Sequence, residues 1–312
     1  MMSPLFEVAA PEVWVGYGLV VAFVAVSSAV VVLHPRLRGR PRVRGAVLSW
    51  WPVSFVAALA TLCGSLMSAL VLAIVSAALA REALRLLRLP GPRARLHVRV
   101  AAAAAIVSHA LVLVDGAWAT TVALAVALAV APVLHLMAFG ASDFVREAGG
   151  AAWVTAAAVG LFSFVARTEI VVGGPFGGPG AAFVFFVLVM MSDAMQYVGG
   201  KLFGRHVLLS RVSPGKTWEG LLFGLFVCTT LGACVTPRYL GLAPGWGAGL
   251  GAAICLLGLC GDLVASAWKR DAGVKDSSDL LPGQGGLLDR CDSVLFAAPW
   301  YYLLVASRLG GG

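Results

Sequence analysis

AVLSWWPVSFVAALATLCGSLMSALVLAIVSAALA, residues 46–80, runs for thirty-five residues without a charged side chain. A helix that crosses a bilayer takes about 20 apolar residues, within a range of about 17 to 25, so this block is either one over-long tilted helix or a hairpin of two short ones. The flanks decide between them. Arg36, Arg38, Arg40, Arg42 and Arg44 precede the block, and Arg81, Arg85, Arg88, Arg93, Arg95 and Arg99 follow it. Cytoplasmic loops collect Lys and Arg, so both flanks belong on one side and an even number of crossings must separate them. A bend near Cys63-Gly64-Ser65 supplies the second crossing.

Working outward from that hairpin, apolar runs of spanning length fill the chain. With 312 residues, 60% of them hydrophobic and 12% charged, and a mean hydropathy of +0.92, a soluble domain with a polar exterior is excluded. The expected fold is all-α: a polytopic membrane helical bundle of about ten transmembrane helices with cytoplasmic catalytic loops. The spans are expected near 13–33, 46–62, 65–80, 98–114, 117–139, 150–166, 181–199, 217–236, 246–265 and 294–309. On this topology twenty of the twenty-three Lys and Arg residues face the cytoplasm, leaving Arg167, Arg238 and Arg308 outside. The loops 200–216 and 266–293 then also lie on the cytoplasmic side, where nucleoside triphosphates are. The first eleven residues carry no positive charge, so the run 13–33 reads as a signal anchor rather than a cleaved leader. The six cysteines have no C-x-x-C spacing and read as small buried hydrophobes. The net charge of +8 is spread beside spans without a nucleic-acid motif, so a bilayer surface is the expected partner and nucleic acid is not.

The chemistry concentrates in residues 261–293, GDLVASAWKRDAGVKDSSDLLPGQGGLLDRCDS. This stretch holds six of the fifteen acidic residues and four of the twenty-three basic ones. Carboxylates mixed with cations beside flexible glycines suit a site that binds a divalent metal through oxygen and neutralises phosphate. Asp262, Ser266 and Lys269 recur at i, i+4 and i+7, so on a helix they share one face, with Arg270 at its edge. Asp289 and Asp292 lie three apart at the start of the last apolar run, after breaks at Pro282-Gly283 and Gly285-Gly286. Asp193 follows the apolar run 181–191; a carboxylate at that depth needs a partner or a wet cavity, and it is read as a metal ligand or as the partner of Lys216 or Lys275. Residues 213–217, SPGKT, precede another span, where helix N-terminal amides together with Lys216 make a phosphate site without the spacing of a Walker A loop.

Ser266, Lys269, Arg270, Lys275, Asp276, Pro282, Gly283, Gly285, Gly286, Asp289, Arg290 and Asp292 together spell a long pattern that resembles the signature of the phosphatidate cytidylyltransferase (CDP-diacylglycerol synthase) family. A second family-like block contains Ser192-Asp193, Tyr197-Val198-Gly199, Phe203-Gly204-Arg205 and residues 213–220, SPGKTWEG. The matches cover roughly the last 120 residues, with a faint Arg81-Glu82 echo before them. The resemblance implies an N-terminal transmembrane scaffold over 1–180 and a catalytic transmembrane region over 181–312. It implies a nucleotidyltransferase of the cell's inner membrane that makes CDP-diacylglycerol and pyrophosphate from CTP and phosphatidic acid. Mg²⁺ is the implied cofactor, with Asp262 and Asp289 as its ligands and Asp193, Asp276 and Asp292 in support. Lys216, Lys269, Arg270, Lys275 and Arg290 are implied phosphate contacts, beside the Ser266 hydroxyl. Gln284 stands where the family usually has histidine, and a hydrogen-bonding role suits both. A homodimer is compatible with all of this.

Two other readings stay open. One is a related CTP-dependent enzyme acting on another lipid phosphate or a polyprenol; the other is a non-catalytic membrane scaffold or transporter of the same fold. CDP-alcohol phosphatidyltransferases are disfavoured because their D-x2-D-G-x2-A-R string is missing.

Overall fold

The computed structural model describes residues 9–33, 45, 48, 50–114, 116–278, 280 and 285–309. Within them the chain forms ten helical rods: α1 (Pro11–Leu33), α2 (Trp50–Leu62), α3 (Ser65–Leu86), α4 (Gly91–Val112), α5 and α6 (Gly116–Ala125 and Ala131–Phe139, one rod), α7 and α8 (Phe144–Thr155 and Ser163–Val171, one rod), α9 (Gly177–Phe203), α10 (Trp218–Leu240), α11 (Pro244–Asp271) and α12 (Leu288–Leu309). The two composite rods are each joined by a π-helical stretch, Val126–Val130 and Ala156–Leu161. Eight rods are long and apolar enough to cross a membrane; α2 is apolar but shorter, and α12 is less apolar. The protein is an all-α integral membrane bundle, as expected from composition.

The decisive block is a hairpin. Helix α2 stops at Leu62 and α3 starts at Ser65, and between them Gly64 takes φ 86°, a left-handed conformation that a residue with a Cβ adopts only under strain. The start of α1 lies against this bend, where the Ala9 amide donates to the Leu62 carbonyl at 3.3 Å. Arg36 to Arg44, on which half of the parity argument rests, lie outside the described residues.

One departure from helix follows α9. Expected only as a loop, residues 207–217 form an antiparallel ribbon, β1 (Val207–Leu209) with β2 (Ser213–Thr217), bulged between the Val207–Thr217 and Leu209–Ser213 pairs. Its base is fixed by Glu219 in the first turn of α10, whose Oε2 accepts the amides of Arg205 (3.0 Å) and His206 (3.2 Å).

The two ends of the bundle differ in charge. At one end Glu82 of α3 bonds to Ser277 and Ser278, Arg88 donates to the Ala272 carbonyl at 2.7 Å, and Lys216 pairs with Asp262. The segments 81–97, 200–216 and 266–293, expected to share a face, therefore meet. Arg167, Arg238 and Arg308, expected on the other face, each lie over an aromatic ring: Tyr302, Phe176 and Trp246 at 4.5, 5.3 and 4.5 Å from the ring centres. Stacking gives such cations a partner without a carboxylate. The run Trp300-Tyr301-Tyr302 divides by the same logic. Trp300 is exposed, Tyr301 is buried and donates to the Ala181 carbonyl at 2.7 Å, and Tyr302 accepts from Arg167 at 3.1 Å.

Candidate active site

Four elements bring the predicted residues together at the charged end: α9, β2, the C-terminal half of α11 and the first turns of α12. On α11, Asp262, Ser266 and Lys269 do share a face. Ser266 Oγ donates to Asp262 Oδ1 at 3.3 Å, and Lys216 Nζ, arriving from β2, pairs with Asp262 Oδ2 at 2.6 Å. Burial alone would lower the pKa of the Lys216 ammonium, but Asp262 and Asp193 beside it raise it above the ordinary lysine value, so it stays charged. Asp193 accepts from Ser293 Oγ at 2.9 Å, and the Ser293 amide donates to Asp292 at 2.8 Å. Asp193, Asp262 and Asp292 lie close enough to repel one another electrostatically. This proximity depends on Gly261, where a Cβ would run into the Asp292 carbonyl of the neighbouring helix.

The second part of the site is the loop from α11 to α12. Asp289 Oδ1 is bonded to Lys269 Nζ, while its Oδ2 accepts from the Ser277 amide (2.9 Å), Ser277 Oγ (2.7 Å) and the Gly286 amide (2.8 Å). Below this carboxylate lies a buried one, Glu82, which shares the one Ser277 hydroxyl proton with Asp289 (Ser277 Oγ at 2.5 Å) and accepts from Ser278 Oγ (3.0 Å) and the amides of Leu287 (3.0 Å) and Leu288 (2.9 Å). Glu82 thus satisfies amides at the start of α12, which have no intrahelical acceptor, and ties α3 to the site loop. Gly286 fits there because a Cβ would collide with the Glu82 carboxylate.

Of the other predicted residues, Arg290 lies near enough to Asp193 to act on it electrostatically. Arg270 is turned to the Val274 carbonyl at 3.0 Å, and Lys275 and Asp276 are exposed on the loop. Gln284, with Pro282 and Gly283, lies outside the described residues. The expected free amides at the start of α10 are partly taken. Thr217 caps the Gly220 amide at 3.2 Å and the Trp218 amide donates to the His206 carbonyl at 3.0 Å.

Sequence reading missed Glu82, Ser277 and Ser293. Only the Arg81-Glu82 echo pointed to the first, and nothing local distinguishes an acidic residue at the end of a long apolar helix from a solvated one. Among the described residues, no three acidic, histidine or cysteine side chains form a ready-made metal cage. The donor set nevertheless suits Mg²⁺, which binds through one or two carboxylates and takes its remaining ligands from water and substrate phosphate. Asp262 and Asp289 each hold a lysine ammonium on one oxygen, the position a metal cation would compete for.

A multi-span helical bundle with aspartates and lysines gathered at one end defines a polytopic membrane protein with a charged site. The model of the cytidylyltransferase family matches residues 44–308, and the chain belongs to that family. It is 42% identical over 158 residues to the phosphatidate cytidylyltransferase of Mycobacterium leprae, covering 50% of this chain and 49% of that protein. It is 36% identical over 156 residues to the phosphatidate cytidylyltransferase of Haemophilus influenzae, covering 45% and 52%. It is 44% identical over 128 residues to the uncharacterized protein YnbB of Escherichia coli, covering 40% and 43%. The chain spans about half the length of the curated relatives it matches.

Proposed function

We propose that this protein transfers the cytidylyl group of CTP to the phosphate of phosphatidic acid, giving CDP-diacylglycerol and pyrophosphate at the cytoplasmic face of the cell's inner membrane. The observation that carries the reading is the Lys216–Asp262 pair set among Asp193 and Asp292, brought together from four elements within the family-matching stretch.

In this reaction a phosphate oxygen of phosphatidic acid attacks the α-phosphorus of CTP. The bond from that phosphorus to the bridging oxygen breaks, and pyrophosphate leaves with the bonding electrons. The attacking phosphate monoester, with a second pKa near 6, is already largely dianionic at neutral pH, so no strong general base is needed. The obstacle is repulsion between anions, which Lys216, Lys269 and Arg290 would relieve with positive charge, from partly buried positions where a lower dielectric strengthens each attraction. Asp262 and Asp289 would hold Mg²⁺, with Asp193 and Asp292 beside them; the ion would supply charge stabilisation to the phosphates and the departing pyrophosphate. Arg270, in the last turn of α11, and Lys275, on the loop after it, would meet the nucleotide's outer phosphates. Gln284 would hydrogen-bond phosphate or backbone without titrating.

The test is an assay of purified protein with radiolabelled CTP and a panel of acceptors: phosphatidic acid, a polyprenyl phosphate, a polyprenol and a lysolipid phosphate. CDP-diacylglycerol should form from phosphatidic acid at the highest rate. Transfer to another acceptor alone, or to none, would contradict the reading.

A further inference from the structure

The arginine cluster after the hairpin does more than mark topology. Arg81 and Arg85 lie at i and i+4 on the last turns of α3, Arg88 in the turn that follows, and Arg95 and Arg99 at i and i+4 on the first turns of α4. All five line one open cavity of about 430 Å³ between the two helices. Arg93, the sixth of the cluster, turns away and pairs instead with the buried Glu147 at 2.7 Å. None of the five has a carboxylate within ion-pair distance among the described residues, and no acidic or aromatic side chain lines the cavity. Like charges gathered without counter-charge repel one another, and a ligand anion relieves that repulsion.

The rest of the lining says which anion. Leu84, Leu89 and Val98 form an apolar wall beside the guanidinium groups. The two helix ends that frame the cavity stand where apolar spans give way to charged loops, the depth of lipid headgroups. Arg88 sits at the turn between the helices in left-handed backbone, φ 50°, and its Nη2 donates to the Ala272 carbonyl at 2.7 Å, fixing the cavity to the end of α11. A neighbouring cavity of about 300 Å³ shares Arg81 and Arg85 and reaches Glu82 and Ser278 of the site loop. A nucleotide would want a surface for its base; an amphipathic wall with guanidinium groups beside it matches a lipid.

We propose that the groove between α3 and α4 binds the phosphate headgroup of an anionic membrane phospholipid, with the arginines on the phosphate oxygens and the apolar wall against the first methylenes of its chains. This site is separate from the aspartate cluster and stands whatever reaction the cluster performs.

Native mass spectrometry of the full chain, titrated with phosphatidylglycerol in neutral detergent, tests it. Phosphatidylglycerol is chosen because it is not the proposed acceptor. The double variant Arg95→Gln/Arg99→Gln should bind about tenfold more weakly than wild type, since each basic residue contributes a small increment at a lipid surface. Asp262→Asn should bind as wild type does. If the double variant fails to fold, the single variants Arg85→Gln and Arg99→Gln, each expected to weaken binding by about threefold, give the same reading. Unchanged binding in the arginine variants overturns the proposal, as does equal loss in Asp262→Asn, which would place the lipid in the aspartate cluster. Inorganic phosphate at millimolar concentration should leave lipid occupancy largely intact; full displacement would make the groove a soluble-anion site instead.

Discussion

Asp262 and Asp289 stand on two sides of one site, each with a lysine ammonium on one oxygen, and they differ in what holds the other. Asp262 adds only a long bond from Ser266 and has Asp193 and Asp292 as like-charged neighbours. Asp289 adds three donors from the loop, and beneath it Glu82 accepts from three more and shares the Ser277 hydroxyl with Asp289. The first side is rich in negative charge that its local cations do not cancel; the second is satisfied. A buried, satisfied carboxylate holds structure, whereas crowded carboxylates that repel are kept for a cation that binds. Substitutions on the two sides should therefore fail in different ways.

The largest effect is expected on the crowded side. Asp262→Asn should lower metal-dependent turnover by at least about a hundredfold while the protein stays folded in detergent. Similar activity of the variant and wild type at limiting Mg²⁺ would remove Asp262 from the metal. On the satisfied side, Glu82→Gln puts an amide donor among hydroxyl and amide donors, and should cost about 1–3 kcal/mol of stability. Thermal unfolding in detergent reads this directly, and an unshifted transition would show that α12 does not depend on Glu82. Asp289 stands on the satisfied side and is also a proposed Mg²⁺ ligand, so Asp289→Asn should lose turnover and stability together.

Two smaller effects sharpen the picture. Arg290→Lys keeps the charge but loses the planar fork, and a rate reduced by about fivefold is expected if Arg290 grips phosphate with two nitrogens. Gln284→His should change the rate by no more than about twofold, with any new pH dependence near 6.5; proton transfer at that position would instead raise it by about a hundredfold.

Much of this was legible in the chain. The arginine flanks gave the hairpin, because charge is costly inside a bilayer and its placement is strongly biased. The i, i+4, i+7 spacing gave the α11 face, because helix periodicity holds wherever a helix forms. The Glu82 contact with Leu288 joins residues 206 positions apart, and no spacing rule reaches across that separation. The ribbon at 207–217 was hidden too, since its register is held by Glu219 beyond its own end. Asp193 reads from the sequence as a metal ligand or the partner of Lys216 or Lys275, whereas β2 brings the Lys216 ammonium onto Asp262, with Asp193 close by.

The most direct test of the division between the two sides is a Mg²⁺ titration of CDP-diacylglycerol formation for wild type, Asp262→Asn and Glu82→Gln, with thermal unfolding measured on the same preparations. The account predicts that Asp262→Asn unfolds like wild type but does not regain its rate at any Mg²⁺ concentration, while Glu82→Gln unfolds earlier and, where folded, keeps a wild-type dependence on Mg²⁺. An Asp262→Asn protein that unfolds early yet turns over normally, with a Glu82→Gln protein that is stable but has lost its Mg²⁺ response, would contradict it.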